Sequence, residues 1–566
     1  MRLSEFLSAL FLLFAAVLPV HAQQYGNPLN IPPALSGNFG ELRNDHFHSG
    51  IDFKTRQTVD EPVVAIEDGY VSRISVSPGG YGLALYIDHP STGHTSVYAH
   101  LNGFSKEIGE WVREQQYLQE TFAVTLYPEA GRFPVKRGEQ VALSGNTGSS
   151  GGPHLHFEIR DTFSEEALDA LEFLAEIPDT RRPDIQGIAF YPVAGKGVVN
   201  GSGSPVRLPV GRDGEGNPTP PGRSIDAWGR FGVGVRACDR MSGQANVYGV
   251  KHVRLFVDDR QVFGSSISRF PFAKTRMLNA FVDFEYWRRS RLFYMKSFVV
   301  PGNTLPFYGA GGNGGYVDID EERPYLFRYE LEDHRGNRLT YQFTVNGKRQ
   351  PLPPEGACDN GMAWNLYHFY PAPGFHLQIP DGNLYDDICF THSSSAGNGD
   401  YFSAIHRVND SPVPLHGRAS IWIGLNSDPL RDKGRYGIVR VGDNGSASWL
   451  GGEYVHGGMT VSIRELGGRY AISADTVSPV ITPVDPASWV SRRYIRLRLG
   501  DDRSGIASFR GEINGKFVLF THDSKSSVYT CRFEDARIDR GEKQRLVFSA
   551  VDGAGNRREY SYTFFY

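Results

Sequence analysis

Cysteine is scarce in this sequence, with four among 566 residues. So few cysteines permit disulfides but cannot form the framework of a chain of this length, which excludes a disulfide-stapled scaffold. Cys358 and Cys389 fall within one predicted module and could pair. Cys238 and Cys531 fall in different modules, where we expect buried thiols.

The chain also lacks an excess of charge of either sign. It has 59 basic and 63 acidic residues, and its formal net charge is −4. This near balance gives no electrostatic signature of binding to nucleic acid or to an anionic membrane. The hydrophobic fraction of 40% and the charged fraction of 22% are ordinary for globular proteins, so wholesale disorder and a multispanning membrane protein are both disfavoured.

One apolar run, at the N-terminus, indicates the compartment. The run Phe6–Val20 follows Arg2 and is followed by the processing signal Val20-His21-Ala22, which is typical of a secretory signal peptide cleaved after Ala22. An uncleaved anchor is the alternative, but the run is short for a membrane span of ~20 residues. No cysteine stands directly after this run, which argues against a lipoprotein. We expect an exported protein with no transmembrane anchor after cleavage. Its location is then the periplasm, the cell surface or the extracellular space.

Chain length predicts several domains, because single hydrophobic cores stop growing at roughly 250–300 residues. Short apolar segments bounded by Gly, Pro, Asn and Asp indicate a mainly β chain, and stretches rich in Gly and Pro suggest where domains meet. The predicted layout is a signal peptide at 1–22, an N-terminal domain at 23–185, a β-sandwich at 186–350, a β-rich module at 351–477 and a second β-sandwich at 478–566.

Few segments have helical periodicity. The clearest is Lys106–Glu120, where Ile108, Trp111 and Val112 recur at helical spacing. A shorter helix is predicted from Ser164 to Leu174, with Ser164 as its N-cap.

An internal repeat defines the two predicted β-sandwiches. Residues 239–243 (DRMSG) resemble residues 501–505 (DDRSG), and residues 333–338 (DHRGNR) resemble residues 552–557 (DGAGNR). Each motif precedes a strand-like segment, and the two occurrences are separated by about the length of a domain. This predicts two copies of one unit similar to bacterial immunoglobulin-like or fibronectin-like modules.

Two motifs before residue 162 contain metal-ligand residue types. His48 and Asp52 are four residues apart around a glycine, and His154 and His156 are two apart, a spacing that places both side chains on one face of a strand. Imidazole and carboxylate are the zinc ligands of hydrolytic sites, and three protein ligands leave a fourth position for water. Taken singly, each motif is more simply read as structural, since an H-x-H in a sheet is often incidental surface.

Together with the segment Tyr98-Ala99-His100-Leu101 and the glycine-rich approach at 144–153, the two motifs form an ordered set. From Asn38 to Glu158 the chain resembles the lysostaphin-type (LytM-like) zinc metalloendopeptidases, the murein endopeptidase family. The resemblance implies an antiparallel β-sheet peptidase domain that binds one Zn²⁺. It assigns the zinc ligands and catalytic histidines by position: His48, Asp52 and His156 as ligands, and His100 and His154 in catalysis.

The chain departs from the family pattern in two places. Gly151 stands where the family usually has Ser or Thr, and the stretch from about 105 to 134 is longer than the simplest members need, so we interpret it as an insertion near the cleft. Among the other histidines, His46 could compete with His48 as a ligand, although the family register favours His48. His89 and His94 flank a loop, where we expect them to be solvated.

The resemblance implies that the protein hydrolyses peptide cross-links of peptidoglycan through a zinc-activated water, with peptidoglycan stem peptides as its partner. Two alternatives are a non-catalytic regulator or binder of cell-wall hydrolases and a zinc endopeptidase that acts on an extracellular protein. The tail beyond residue 186 has no clustered catalytic motif. We expect no chemistry from it, and binding of wall polymer or protein, spacing from the membrane and packing against the catalytic cleft are all open roles.

Overall fold

The computed structural model describes residues 25–175, 177–309, 311–397, 399–533 and 538–566. The predicted signal peptide, residues 1–22, lies outside these ranges. Within them strands far outnumber helices, which confirms the mainly β fold class. No helix in the same ranges is both long and apolar enough to cross a membrane.

The N-terminal domain consists of short antiparallel strands and one helix. The strands are β1 (Leu35–Gly37), β2 (Ile51–Lys54), β3 (Pro62–Val64), β4 (Gly69–Val76), β5 (Leu83–His89), β6 (His94–Leu101), β7 (Gly103–Phe104), β8 (Val124–Leu126), β9 (Pro134–Val135), β10 (Gln140–Leu143), β11 (His154–Asp161) and β12 (Glu166–Leu168), and the helix is α1 (Lys106–Leu118). The main sheet has the order β1-β2-β11-β6-β5-β4-β8, and β3-β10-β7 form a small second sheet.

The central strand β11 separates the core of this domain from its polar face. Leu155, Phe157 and Ile159 are fully buried in the hydrophobic core. Because side chains alternate along a strand, His154 and His156 point to the opposite face. The H-x-H spacing therefore places both imidazoles on one side of the sheet, as predicted.

One of the two predicted helices is confirmed and the other is wrong. Helix α1 occupies Lys106–Leu118 within the insertion and buries Ile108 and Val112. The segment from Ser164 to Leu174 instead forms β12 and a single 3-10 turn at Ala170–Glu172. Strand β12 pairs with β11 on one side and with a strand of the next domain on the other, so tertiary pairing overrides the local helical spacing.

The second domain follows a linker and has a nine-stranded sheet. Its elements are β13 (Asp184–Val199), β14 (Val206–Pro209), β15 (Gly211–Arg212), β16 (Pro218–Thr219), β17 (Asp226–Cys238), β18 (His252–Val257), β19 (Arg260–Ser266), β20 (Arg269–Pro271), a 3-10 helix (Phe272–Met277), α2 (Leu278–Phe281), α3 (Phe284–Ser290), β21 (Met295–Lys296), β22 (Val317–Ile319), β23 (Pro324–Glu332) and β24 (Arg338–Gly347). The sheet order is β14-β13-β17-β24-β23-β18-β19, with β21 and β22 paired to β17.

The first two domains share one continuous hydrophobic core. Strand β20 pairs with β12 of the N-terminal domain, and Phe270 on β20 stacks on Phe39 with ring centroids 4.9 Å apart. The second domain is therefore packed against the N-terminal domain rather than tethered to it.

The third domain is a strand-rich unit with its own core. Its elements are β25 (Gly361–Met362), β26 (His368–Ala372), β27 (Phe375–Ile379), β28 (Ile388–Cys389), β29 (His392–Ser395), β30 (Ile405–Gly424), a 3-10 turn (Lys433–Arg435), β31 (Tyr436–Val441), β32 (Ala447–Gly451), β33 (Glu453–Val455) and β34 (Gly458–Ala474). Cys358 and Cys389 form a disulfide here. Cys238 and Cys531 are buried thiols, so all four cysteine predictions are confirmed.

The fourth domain has a three-stranded and a four-stranded sheet. Its elements are β35 (Val480–Pro483), a 3-10 turn (Pro486–Ser488), α4 (Trp489–Arg492), β36 (Tyr494–Gly500), β37 (Ile506–Ile513), β38 (Lys516–Val518), β39 (Val528–Arg532), β40 (Lys543–Asp552) and β41 (Arg557–Phe565). It folds back onto the N-terminal domain. Arg510 forms an ion pair of 2.7 Å with Glu120 just after α1, and Phe517 packs edge-on against Tyr117 of α1.

Candidate metal centre

Three side chains predicted as ligands meet on the polar face of the main sheet. His48 lies in the loop before β2, Asp52 lies on β2, and His156 lies on β11 directly opposite Asp52 in the antiparallel register. Nε2 of His48, Oδ1 of Asp52 and Nδ1 of His156 are each 3.0 Å from the other two. All three residues are at least 94% buried. The sheet register thus brings together residues that are more than one hundred positions apart.

Hydrogen bonds to the other ring nitrogens fix which imidazole atoms face this triangle. Nδ1 of His48 lies 2.8 Å from the carbonyl oxygen of Asn38, which can only accept, so Nδ1 carries the proton and Nε2 presents a lone pair. Nε2 of His156 lies 2.8 Å from Oε1 of Glu158, which can only accept, so Nε2 carries a proton and Nδ1 faces Oδ1 of Asp52 in the triangle. A second hydrogen bond that sets the tautomer is the usual environment of a metal-bound histidine.

Glu158 anchors this arrangement from below His156. Its carboxylate is fully buried and accepts hydrogen bonds from Nε of Arg160 at 2.6 Å and from Oγ of Ser49 at 2.6 Å, as well as from the hydroxyl of Tyr81. Burial alone would raise the pKa of Glu158, but Arg160 and His156 outweigh it and hold the pKa far below its ordinary value. Glu158 is therefore a permanent anion beneath the imidazole.

The two oxygens of Asp52 have different partners. Oδ1 lies in the triangle, whereas Oδ2 accepts a hydrogen bond of 2.8 Å from Nη2 of Arg43. Burial opposes ionisation, but His48 and His156 outweigh it and keep the pKa of Asp52 well below its ordinary value. One oxygen is thus held by the protein while the other is available to an ion.

His100 and His154 lie beside the triangle with their rings 4.8 Å apart between centroids. Nδ1 of His100 donates to the carbonyl oxygen of Thr147 at 2.8 Å, and Nδ1 of His154 donates to that of Gly152 at 2.8 Å. Both Nε2 atoms are therefore left as acceptors. Burial and the neighbouring His156 lower the pKa of His100 to about 3, which keeps its ring neutral near pH 7.

His100 reaches this face through an irregularity in β6. Its backbone φ is 59°, in the left-handed region that non-glycine residues seldom adopt, and the register between β5 and β6 shifts at the same place. In regular alternation His100 would share the core-facing side of Tyr98. The bulge turns it toward His154 instead, a feature that no sequence spacing predicts.

The other histidines of this domain are accounted for. His46 is exposed and pairs with Asp45, so it does not compete with His48. The expectation that His89 and His94 are solvated is wrong: His89 is buried, with Nε2 2.8 Å from Oγ of Ser96, and half-buried His94 lies 2.7 Å from the hydroxyl of Tyr25. Both ring nitrogens of His89 have partners within the protein, and neither histidine is part of the triangle.

A loop of the fourth domain forms part of the surroundings of the site. Oδ2 of Asp523 accepts from the backbone N–H of Gly148 at 3.1 Å, and the N–H of Ser524 donates to the carbonyl oxygen of Pro78 at 2.8 Å. Lys525 also donates to the carbonyl oxygen of Asn146. Asn146 and Gly148 flank Thr147, whose carbonyl oxygen holds His100. Sequence analysis missed this contact because the partners are separated by more than 370 positions.

The triangle fits a zinc ion by its chemistry and its size. Two imidazole nitrogens and one carboxylate oxygen are donors that Zn²⁺ accepts at ~2.0–2.2 Å, a reach compatible with donor separations of 3.0 Å. Within the described ranges, the cluster is one of the groups of ligand-type side chains close enough together to hold one metal ion. Residues 46–123 also match the profile of peptidase family M23. The N-terminal domain is a peptidase family M23 domain.

Relatives match about a fifth of the chain. An uncharacterized metalloprotease of Haemophilus influenzae is 34% identical over 112 residues, which cover 20% of this chain and 18% of that protein. The peptidoglycan DD-endopeptidase ShyB of Vibrio cholerae is 33% identical over 114 residues, 20% of each chain. The chain thus spans about a fifth of the length of these relatives.

Two further comparisons concern structure and the third domain. The catalytic domain of lysostaphin from Staphylococcus simulans is 25% identical to this chain, with a TM-score of 0.19, and the match covers 25% of this chain and 91% of that domain. Residues 359–475 match the profile of the Zu5-like domain. That match lies within the β-rich module at 351–477, for which the sequence offered no specific motif.

Proposed function

We propose that the protein is an exported zinc metalloendopeptidase that hydrolyses peptide cross-links of bacterial peptidoglycan. The observation that carries this proposal is the triangle of His48, Asp52 and His156, because its atoms, tautomers and charge suit one zinc ion with a free coordination position. The substrate class is supported by the M23 match and by the similarity to a peptidoglycan DD-endopeptidase.

The ligand set supplies the chemistry of hydrolysis. A zinc ion bound there would lower the pKa of a water molecule toward ~7 and polarise the scissile carbonyl. Asp52 contributes a full negative charge and the two histidines bind as neutral ligands, so the set carries one negative charge. Arg43 and Glu158 hold Asp52 and His156 in position from behind.

His100 and His154 are placed to move protons and to steady charge. Each ring is fixed by an Nδ1–H donated to a backbone carbonyl, so each Nε2 can accept a proton from the attacking water and return it to the leaving amine. Once protonated, either ring can donate to the developing oxyanion. The His154 side chain is 17% exposed, more than any of the three ligands, so we place the approach of substrate on its side.

The β domains after residue 186 are proposed to be non-catalytic, with the boundaries 186–350, 351–477 and 478–566 given above. Their role in this proposal is to support the peptidase domain and to make contacts in the cell envelope. The extensive packing of the second domain on the first supports the former part of this role.

The decisive experiment is digestion of purified cross-linked sacculi, followed by chromatography of the released muropeptides. We expect His156→Ala to abolish cross-link cleavage and to remove one bound zinc. The matched control is His46→Ala, because His46 is also a histidine of this domain but is exposed and outside the triangle; it should retain activity and zinc.

Three outcomes would reject the proposal. Full activity in His156→Ala would exclude the metal mechanism. Zinc binding by the wild type without any cleavage of sacculi would instead favour a regulator or binder, and cleavage of an extracellular protein in place of sacculi would favour the other endopeptidase reading.

A further inference from the structure

A second cluster of ionisable groups lies at the junction of the first two domains, away from the M23 site. Asp179 belongs to the linker before β13, Asp239 directly follows β17, and Asp333 directly follows β23. One carboxylate oxygen from each lies within 4.8 Å of one from each of the others. The ends of two strands and the interdomain linker thus converge on one point.

The oxygens of this cluster are not satisfied by the protein. Asp239 is fully buried, yet neither of its carboxylate oxygens has a hydrogen-bond partner in the described part of the chain. Oδ2 of Asp179 is likewise buried and unpartnered among those residues. Within the same ranges no lysine or arginine forms an ion pair with any member of the cluster. An unpaired buried carboxylate is strongly unfavourable, so the charge of Asp239 must be removed by a proton or balanced by a bound cation.

The remaining oxygens of the cluster accept hydrogen bonds from the protein. Oδ1 of Asp333 accepts from the backbone N–H groups of Arg335 and Asn337, and its Oδ2 accepts from Nδ2 of Asn337. Oδ1 of Asp179 accepts from the N–H of Ser242. The loops therefore orient Asp333 and Asp179, while Oδ2 of Asp179 and both oxygens of Asp239 have no hydrogen-bond partner among the described residues.

We propose that Asp179, Asp239 and Asp333 bind one Ca²⁺. The cluster offers only hard oxygen donors, which Ca²⁺ prefers and which are not the nitrogen and sulfur set typical of structural zinc. Ca–O distances of about 2.3–2.6 Å let one ion span oxygens up to about 5 Å apart. Mg²⁺ is less suited, because it usually retains several water molecules and this cluster includes two carboxylates with almost no solvent exposure.

A similar group lies in the fourth domain at Asp475, Asp501 and Asp552, although Asp501 accepts two backbone hydrogen bonds on Oδ2 and the carboxylate of Asp239 accepts none from the described residues. Asp552 accepts from the N–H groups of residues 554 and 556 and from Nδ2 of Asn556, as Asp333 does from its own loop. Asp475 accepts from the N–H of Ser504, as Asp179 does from Ser242. The DRSG-like motif and the GN-containing motif of each sequence repeat thus lie together in one aspartate cluster, and the chain contains two such clusters.

Binding at the first cluster would also support the M23 site. The backbone of Asp239 pairs with that of Tyr248, and the hydroxyl of Tyr248 donates to the carbonyl oxygen of Leu35 at 2.9 Å. The N–H of Gly249 donates to Oδ1 of Asn38, the residue whose carbonyl holds His48. A cation on Asp239 would therefore fix the loop that lies against the edge of the catalytic sheet.

The test is calcium binding by the full chain, measured calorimetrically. The protein is freed of metal, given one equivalent of zinc for the M23 site and titrated with CaCl₂, for the wild type, Asp239→Asn and the control Asp502→Asn, which removes an exposed acid outside the cluster. We expect Asp239→Asn to bind one Ca²⁺ fewer than the wild type, and Asp502→Asn to bind the same number. Any ion at the fourth-domain cluster cancels in this comparison.

Thermal unfolding separates a cation site from a merely structural aspartate. The wild type should gain a few degrees in melting temperature with Ca²⁺. Asp239→Asn should lose that gain, yet melt no lower than the wild type in chelator, because the amide removes a buried negative charge. Equal calcium stoichiometry in the two proteins, no binding by the wild type at millimolar Ca²⁺, or displacement of the ion by equimolar Mg²⁺ would overturn the proposal. None of these readouts depends on peptidase activity.

Discussion

Metal binding at the M23 site should release one proton, and His156 is its source. In the metal-free protein, burial lowers the pKa of His156, but the hydrogen bonds to Asp52 and Glu158 outweigh it and raise the pKa to about 9. Burial lowers the pKa of His48, and Asp52 is already ionised. Near pH 6 the free site therefore contains one protonated imidazole, whose Nδ1–H occupies the position of a metal bond.

The size of the pH dependence of zinc affinity follows from the release of this single proton. Zinc must displace it, so affinity should fall about tenfold, or about 1.4 kcal/mol, for each pH unit of acidification between about pH 5.5 and 6.5. This window lies below the pKa of ~7 of a zinc-bound water, which would otherwise release protons of its own. The raised pKa of His156 sets the direction of this change. At lower pH the proton on His156 competes with zinc, and at higher pH zinc binds more tightly.

The assay is competition with a chelator of known affinity at several pH values, together with calorimetry in two buffers of different ionisation enthalpy to count protons. Glu158→Gln is the informative variant, because removing the carboxylate charge should lower the pKa of His156 and reduce proton release. If the logarithm of the zinc affinity of the wild type changed with pH with a slope near zero, His156 would be neutral before metal binds. A slope near two would mean that His48 is protonated as well. Either result would refute the reasoning.

Two further predictions concern stability. Phe157→Ala should lower the free energy of unfolding of the M23 domain by about 3–5 kcal/mol in urea titrations, because Phe157 is fully buried against Phe53 and Tyr98; a loss below about 1 kcal/mol would show that this face of β11 is not core. Cys358→Ser opens a loop closed across 31 positions and should destabilise the third domain by about 2–4 kcal/mol, while leaving zinc affinity at the distant M23 site unchanged; the same transition midpoint with and without reductant in the wild type would contradict it.

The packing of the first two domains bears on how the protein could be dissected. Phe47 of the M23 domain contacts Phe281 and Phe307 of the second domain, and its neighbour in sequence is the ligand His48. Truncation after residue 185 would expose this aromatic contact to water. Studies of the candidate metal centre are therefore better made on a chain that retains the second domain.

The sequence alone determined the components of the metal site. His48 and Asp52 around a glycine, and His154 and His156 at a spacing of two, specify side chains on the same sides of short segments, since strand periodicity is a local property of the backbone. The mainly β class, helix α1 and the disulfide could also be predicted, because each depends on residue pattern or on cysteines within one module. The repeated aspartate motifs were visible for the same reason.

Only the tertiary structure decided which components meet. The register of β2 against β11 brings Asp52 opposite His156, and the bulge at His100 turns that ring to the polar face. Pairing of β12 with two neighbours replaced a predicted helix, and burial replaced the expected solvation of His89. Each outcome depends on contacts between residues far apart in the chain, whose energies exceed the local preferences that a sequence pattern records.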